Sequence, residues 1–369
     1  MLSVQTYDRR EQECADELPN RVVEMVNPVV FASEGYPMRV RHEKVLWRYV
    51  DVMHETRFAM DFAGLHDNGL TAPEFTWLKN AATITCEHTR AAFGRPLTVR
   101  GSLLRALHVF RSITDITGAR PLRVFEAGPG SGPLGCLFIQ RGWGYAATDI
   151  TQAFYLHQSH LWDRACGGKL IELADPATQW DGQIEPGQPV HIPWWEFFRM
   201  LDRPIPQVDV VTSNHALAEM HPNSLAFTLR LAREMMRTGG GPKLFIFEGW
   251  GWEKLQTRDK VFEAFNKAGF SLVHTDDQVT VFAPRDVLTD PGSSILPDGL
   301  IQPLVQIGNT IQLPGNTLSN RIVDARTRRK AQLSVRLPQV ETFYRELLGS
   351  DDLRTADERF LEHIGRNYQ

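Results

Sequence analysis

Cysteine is scarce in this chain: four in 369 residues, at positions 14, 86, 136 and 166. They form no C-x-x-C pair and no metal-ligand spacing, which argues against a disulfide framework and a thiolate zinc site and points to a reducing compartment. Long apolar runs are missing too. Nothing approaches the ~18 consecutive apolar residues of a membrane-spanning helix. The opening residues Met1 to Arg10 lack the charged-then-apolar layout of a secretion signal. The expectation is a cytoplasmic protein without membrane contact. There is no excess of positive charge: 40 Lys and Arg face 44 Asp and Glu, for a net charge of −4. That removes the electrostatic case for gripping nucleic acid by its phosphates. The one basic run, Arg326-Thr327-Arg328-Arg329-Lys330, is short and reads as solvated surface. No internal repeat or low-complexity tract is present. What remains is an ordinary globular composition, 42% hydrophobic and 23% charged. The length suggests one core domain with additions.

The most informative stretch runs from Val124 to Gly135. A short apolar segment ends in Glu126, a glycine-rich turn follows (Gly128, Gly130, Gly132), and a helical pattern begins near Leu134. A second strand-like run, Tyr145 to Thr148, ends in Asp149. Glycines let a backbone approach a ligand where a Cβ would clash. An acid ending the second strand can accept both hydroxyls of a ribose. Together they describe the nucleoside-binding half of a doubly wound α/β domain.

Two cofactor classes fit a glycine turn. Gly130-Ser131-Gly132-Pro133-Leu134-Gly135 matches G-x-G-x-x-G, so a dinucleotide oxidoreductase must be weighed. Three observations oppose it. The carboxylate of Glu126 would repel a pyrophosphate seated at the helix N-terminus. Counted from Gly128, the third dinucleotide glycine is replaced by Pro133. Finally, Gly269 to His274 and Val279 to Ala283 read as strands too close together for anything but an antiparallel pair. S-adenosylmethionine (SAM) carries no phosphate, and its ammonium and sulfonium favour a nearby acid.

Glu126-x-Gly128-x-Gly130-x-Gly132, Asp149 and the terminal hairpin resemble the SAM-dependent methyltransferases of the Rossmann-like type, over roughly residues 120–285. The resemblance implies an α/β fold: a seven-stranded sheet in which a reversed seventh strand is inserted beside the sixth. The expected organisation is a helical N-terminal cap over 1–120, a SAM-binding domain over 121–285 and a C-terminal extension over 286–369. Residues 1–20 look polar and loose. Helices are expected over Pro73 to Phe93 and Ser102 to Thr117, and core strands at 122–127, 145–149, 190–194, 208–212 and 243–247.

In open α/β sheets, ligands bind beyond the carboxyl ends of the strands. The expected cofactor set is therefore Glu126, Gly128, Gly130, Gly132, Asp149, Ile150, Trp194 and Asn214. Ile150 would cover an adenine face; the pair Trp194-Trp195 packs a core more often than it stacks a cofactor. After the fourth strand the chain reads Ser213-Asn214-His215-Ala216-Leu217-Ala218-Glu219, unlike the Asn-Pro-Pro-Tyr of base or amine methylation. If this segment is helical, His215 and Glu219 share a face at i, i+4, as a general base and its orienting acid. The same pair would serve equally as a brace for the loop. No tight H-x-x-x-H or D-x-D group exists, so no metal is expected.

Residues 145–155 and 213–220 are also similar to bacterial proteins described as sugar O-methyltransferases. This implies a small-molecule acceptor, with a sugar or glycosylated hydroxyl favoured and tryptophans 194, 195, 250 and 252 available for stacking. N- or C-methylation of a specialised metabolite, and a SAM-binding scaffold without catalysis, stay open as alternatives. A homo-oligomer is compatible with all of them.

Overall fold

A computed structural model of the chain describes residues 2–26, 38–52, 62, 64–118, 120–203, 205–237, 241–251, 253, 255–289, 305–307, 310–312, 317–354 and 359. Trp252 and most of 286–316 and 355–369 lie outside the described residues. In chain order the helices are α1 (Val4–Glu17), α2 (Asn20–Met25), α3 (Trp47–Val52), α4 (Ala72–Phe93), α5 (Arg100–Thr117), α6 (Pro133–Gln140) and α7 (Gln152–Ala165). They continue as α8 (Trp194–Arg199), α9 (Pro222–Met235), α10 (Arg258–Lys267), α11 (Arg285–Thr289), α12 (Thr317–Lys330) and α13 (Leu337–Leu348). The strands are β1 (Gly69–Leu70), β2 (Arg123–Ala127), β3 (Gly144–Asp149), β4 (Ile171–Glu172), β5 (Val190–Pro193) and β6 (Val210–Thr212). They are followed by β7 (Leu244–Phe247), β8 (Phe270–Thr275), β9 (Thr280–Pro284), β10 (Val305–Ile307), β11 (Thr310–Gln312) and β12 (Val335–Arg336).

The main sheet has the order β4-β5-β3-β2-β6-β7-β9-β8. Strands β4 to β7 run parallel to their neighbours, whereas β9 is antiparallel to both β7 and β8. The hairpin closed by Asp276 therefore delivers the reversed strand into the sheet, as its short loop requires. The count differs from the expected seven: β4, two residues long, adds an eighth strand beside β5. So brief an element carries no periodicity to read.

Strands β2, β3 and β7 are buried nearly throughout, as parallel strands covered on both faces must be. Alternate residues divide between two cores. Phe125, Ala146, Ile192, Val211 and Phe245 face one, with Tyr7 of α1, Tyr155 of α7, Trp195 of α8, Leu229 of α9 and Phe265 of α10. Val124, Tyr145, Ala147, Val210 and Leu244 face the other, with residues of α4, α5, α6, α12 and α13.

The first residues are not loose. Helix α1 is capped by Ser3, whose side chain accepts from the Thr6 N–H, and it buries Val4, Tyr7 and Cys14 against the sheet face. Helix α4 starts at a capping box of Thr71 and Glu74. Glu74 is also the buried partner of Arg111, whose Nε and Nη2 donate to it at 2.6 and 2.7 Å. Strand β1 pairs antiparallel with β12, so the chain before the sheet and the chain after it are joined edge to edge. The basic run also departs from expectation. It ends α12, and Arg326, Arg329 and Lys330 pair with Asp276, Asp115 and Asp67 at 2.8, 2.5 and 2.8 Å.

Candidate active site

The carboxyl ends of β2, β3, β6 and β7 converge on one place. Strand β2 leads into the turn in which Gly128, Gly130 and Gly132 have φ of +73°, +59° and +77°. These are left-handed values that only glycine adopts without strain. A Cβ on Gly128 would stand 3.1 Å from the Ala216 methyl, so the loops after β2 and β6 touch there. Gly132 has a packing reason instead. A Cβ there would reach within 2.9 Å of the Trp162 indole nitrogen, which donates to the Gly132 carbonyl at 2.9 Å. Among the described residues, the Ser131 Oγ and Thr148 Oγ1 hydroxyls beside this turn are buried without a protein partner.

Two buried acids flank the turn. Glu126 is 3% exposed and accepts from the Tyr145 hydroxyl at 2.7 Å. Burial pushes its carboxyl up to about 7, against the opposing effect of hydrogen bonds from Tyr145 and Asn214. Among the described residues no Lys, Arg or His forms an ion pair with it. Asp149 is 5% exposed; its Oδ1 accepts from the Thr151 N–H at 2.8 Å and its Oδ2 from Gln158 Nε2 at 3.0 Å. Burial raises its carboxyl to about 6.

The segment after β6 departs from the helical expectation. Leu217–Glu219 forms a single 3-10 turn, so the i, i+4 face meant to align Glu219 with His215 is not built. His215 has φ +54°, a left-handed value that is strained for a residue with a side chain. Its backbone N–H is anchored on the Glu248 and Gly249 carbonyls at 3.1 and 3.3 Å. The carboxylate facing its ring is that of Glu248, with Oε1 3.5 Å from His215 Nε2 and 3.2 Å from Arg105 Nε. The first separation is an electrostatic contact rather than a good hydrogen bond. Burial alone would raise Glu248, but His215 and Arg105 hold its carboxyl below the usual carboxylate range. Asn214 ties the two loops together. Its Oδ1 accepts from the Glu248 N–H and its Nδ2 donates to Thr212 Oγ1, both at 3.0 Å.

Two other expected cofactor residues directly follow the carboxyl ends of β5 and β3. Trp194 is 3% exposed at the start of α8, and its indole N–H is bound by Glu11 of α1 at 2.8 Å. Ile150 is partly buried on the core beside Asp149. Glu248 is the member that sequence reasoning did not assign. Its signal was Gly249-Trp250-Gly251 directly behind β7, because both glycines make room for His215.

No family model and no curated relative matches the chain by sequence. Among solved structures it is similar to magnesium protoporphyrin IX methyltransferase from Synechocystis with bound SAM. The identity is 14%, covering 50% of this chain and 80% of that one, at a TM-score of 0.35. It is also similar to the CurJ carbon methyltransferase, at 15% identity, 50% and 54% coverage and a TM-score of 0.31. A third is an O-methyltransferase from neocarzinostatin biosynthesis with S-adenosylhomocysteine, at 16% identity, 43% and 48% coverage and a TM-score of 0.29.

Proposed function

We propose that the protein is a SAM-dependent methyltransferase acting on a hydroxyl of a small molecule. The carrying observation is the pair of buried carboxylates, Glu126 and Asp149, on adjacent parallel strands either side of a left-handed glycine turn. Burying a carboxylate without a cation is costly, and a cationic ligand relieves that cost. A dinucleotide would add negative charge to the same place. The residues fit SAM: Glu126 for its positive end, Gly128 and Gly130 for close approach, and Asp149 for its ribose diol. The orphaned Ser131 and Thr148 hydroxyls supply further hydrogen-bonding groups. When bound, SAM supplies a methyl group on a cationic sulfur.

His215 is the general base in this reading. Glu248 faces Nε2 and favours the tautomer protonated there, which leaves Nδ1 to take the acceptor's hydroxyl proton. Glu248 replaces Glu219 as the orienting acid, and Arg105 fixes Glu248 from α5. The sugar-like acceptor rests on the resemblance in residues 145–155 and 213–220. The tryptophans add little to it, because Trp194 and Trp195 are buried and Trp250 packs on Phe247 and Phe262 at 4.8 and 4.9 Å.

Calorimetry of S-adenosylhomocysteine against NAD and NADP tests the cofactor. Only the first should bind, and Asp149→Ala should weaken it by about 1.5–3 kcal/mol, the value of charge-assisted hydrogen bonds. Equal affinity in wild type and variant would overturn the ribose assignment. Mass spectrometry of the methylated product then decides between oxygen, nitrogen and carbon acceptors.

A further inference from the structure

A chain of buried hydrogen bonds leads away from Asp149 across the sheet. Gln158 of α7, fully buried, donates from Nε2 to Asp149 Oδ2 at 3.0 Å and to the Gly130 carbonyl at 2.5 Å. Its Oε1 lies 3.0 Å from Nε2 of His191 on β5. The other ring nitrogen, Nδ1, lies 3.0 Å from Glu172 Oε2 on β4. Glu172 Oε1 accepts in turn from the Tyr155 hydroxyl and, at 3.0 Å, from the Ala174 N–H. None of these residues has a role in the reading of the site given above, apart from Asp149 and Gly130.

Donor and acceptor counting fixes the orientation of the Gln158 amide. Turning the Gln158 amide around would set its oxygen against two other acceptors, Asp149 Oδ2 and the Gly130 carbonyl, so Oε1 must face His191. The His191 Nε2 is then a donor. Its Nδ1 faces Glu172, whose carboxyl would be raised by burial but is held below the usual range by His191, Tyr155 and Ser159. Nδ1 and Glu172 Oε2 share the hydrogen bond on that side. His191 has no solvent exposure; its ring stacks on the Tyr155 ring at 3.7 Å and 10° and is edged by Trp162 at 4.9 Å. The remaining groups acting on Asp149 are the Thr151 and Gly130 backbone, and the acids and phenols of Glu126, Tyr145 and Tyr7. His160 acts on Glu172 from α7.

We propose that His191 is a positioning residue for the cofactor-binding acid. Clamped by Glu172, its ring donates from Nε2 to lock the Gln158 amide, so that Asp149 turns its remaining acceptor positions toward a ribose diol. The inference rests on the reading of Asp149 as the ribose acid. It also gives the two-residue strand β4 a purpose, because pairing with β5 is what brings Glu172 beside His191.

Carbon-13 NMR of the Asp149 carboxyl in the full chain, without ligand, reads the relay directly. The wild-type midpoint is expected at about 6. In His191→Gln it should rise by about one pH unit, because the His191 ring is one of the groups that hold it down. Affinity for S-adenosylhomocysteine should fall about fivefold at about pH 6 and less than about twofold at about pH 8, because only the ionised acid binds. An unchanged midpoint, with equal loss of affinity at both pH values, is the behaviour of a merely structural histidine and overturns the proposal. If the variant does not fold, nitrogen-15 NMR of the wild type still decides. The His191 Nε2 must carry a proton, and an Nε2 without one overturns the idea. The carboxyl titration needs no ligand. A wild type that shows the relay but fails to bind S-adenosylhomocysteine thus overturns the cofactor reading alone.

Discussion

The His215 imidazole occupies the space where Gly249 would carry a side chain: a Cβ there would come within 2.0 Å of the ring's Cε1. Gly249 also has φ +62° and Gly251 φ +88°, and a Cβ on Gly251 would meet the His215 carbonyl at 2.6 Å. The loop after β7 thus exists in its present form to seat one histidine in a left-handed backbone. Gly249→Ala should displace that ring while leaving Glu126 and Asp149 in place. We expect single-turnover methyl transfer to drop by about 10²-fold or more, as for loss of a general base, with S-adenosylhomocysteine affinity changed less than about twofold. Full activity in this variant would remove His215 from the chemistry.

Glu248 and Glu219 make opposite predictions. Glu248→Gln removes the charge that faces His215 and Arg105 but keeps the shape. It should lower kcat by about 10–100-fold, the range found when a partner that orients a histidine is lost. Glu219→Gln should change kcat by less than about threefold, since the turn at Leu217–Glu219 does not hold Glu219 on a helical face with His215. Pre-steady-state rates of both variants across pH test this. A larger effect at Glu219 would restore the pairing that the sequence suggested.

Glu126 gives a stability prediction with a definite sign. Its carboxyl lies near 4.5 in the unfolded chain and at about 7 in the fold. The folded state therefore holds the proton more tightly. The stability this contributes is full below about 4.5 and is lost as pH rises through about 7. Glu126→Gln should therefore exceed wild type by about 3 kcal/mol at about pH 8, and match it at about pH 4. Urea unfolding at the two pH values measures both. The same substitution should weaken S-adenosylhomocysteine, so the site would trade stability for affinity through one residue.

Arg111 tests the packing between α4 and α5. Its side chain is 3% exposed and donates to both oxygens of Glu74, to the Gly69 carbonyl and to His66 Nδ1. Arg111→Leu strands the Glu74 carboxylate in the core. The expected loss is about 3–5 kcal/mol, as for breaking a buried pair from one side. Chemical denaturation gives the value. The double variant Glu74→Leu/Arg111→Leu should recover most of it.

Much of the fold was legible because parallel strands advertise themselves. Leu244 to Phe247 is a continuous apolar run, Val124 to Ala127 is broken only by Glu126, and the hairpin at Asp276 forced the reversed strand. The glycine turn and its two acids were legible because they lie within one strand–turn–helix–strand stretch, residues 123–149. What escaped depends on meetings between distant segments. Helix α1 looks polar because only Val4, Tyr7 and Cys14 face inward. Strands β1, β4 and β12 are two residues each, too short for any pattern. The pairing of His215 with Glu248 arises because the loops after β6 and β7 lie side by side, whereas spacing along the chain favoured Glu219. Gly132 matched a cofactor motif, yet its lack of a side chain is accounted for by Trp162.

The pairing of Gly69 with Arg336 and of Leu70 with Val335 has a consequence for how the molecule is made. A ribosome delivers the second partner about 265 residues after the first. The parallel sheet, complete by Pro284, can assemble before that seam closes. Until then α4 lacks the neighbour that α13 provides, and the apolar side chains of Leu78 and Phe75 wait for Val340, Phe343 and Tyr344. Such long-range contacts come late and slowly, because loop closure must precede the contacts that reward it. The interval between the two is thus when this protein most needs protection from its own neighbours in a crowded cell.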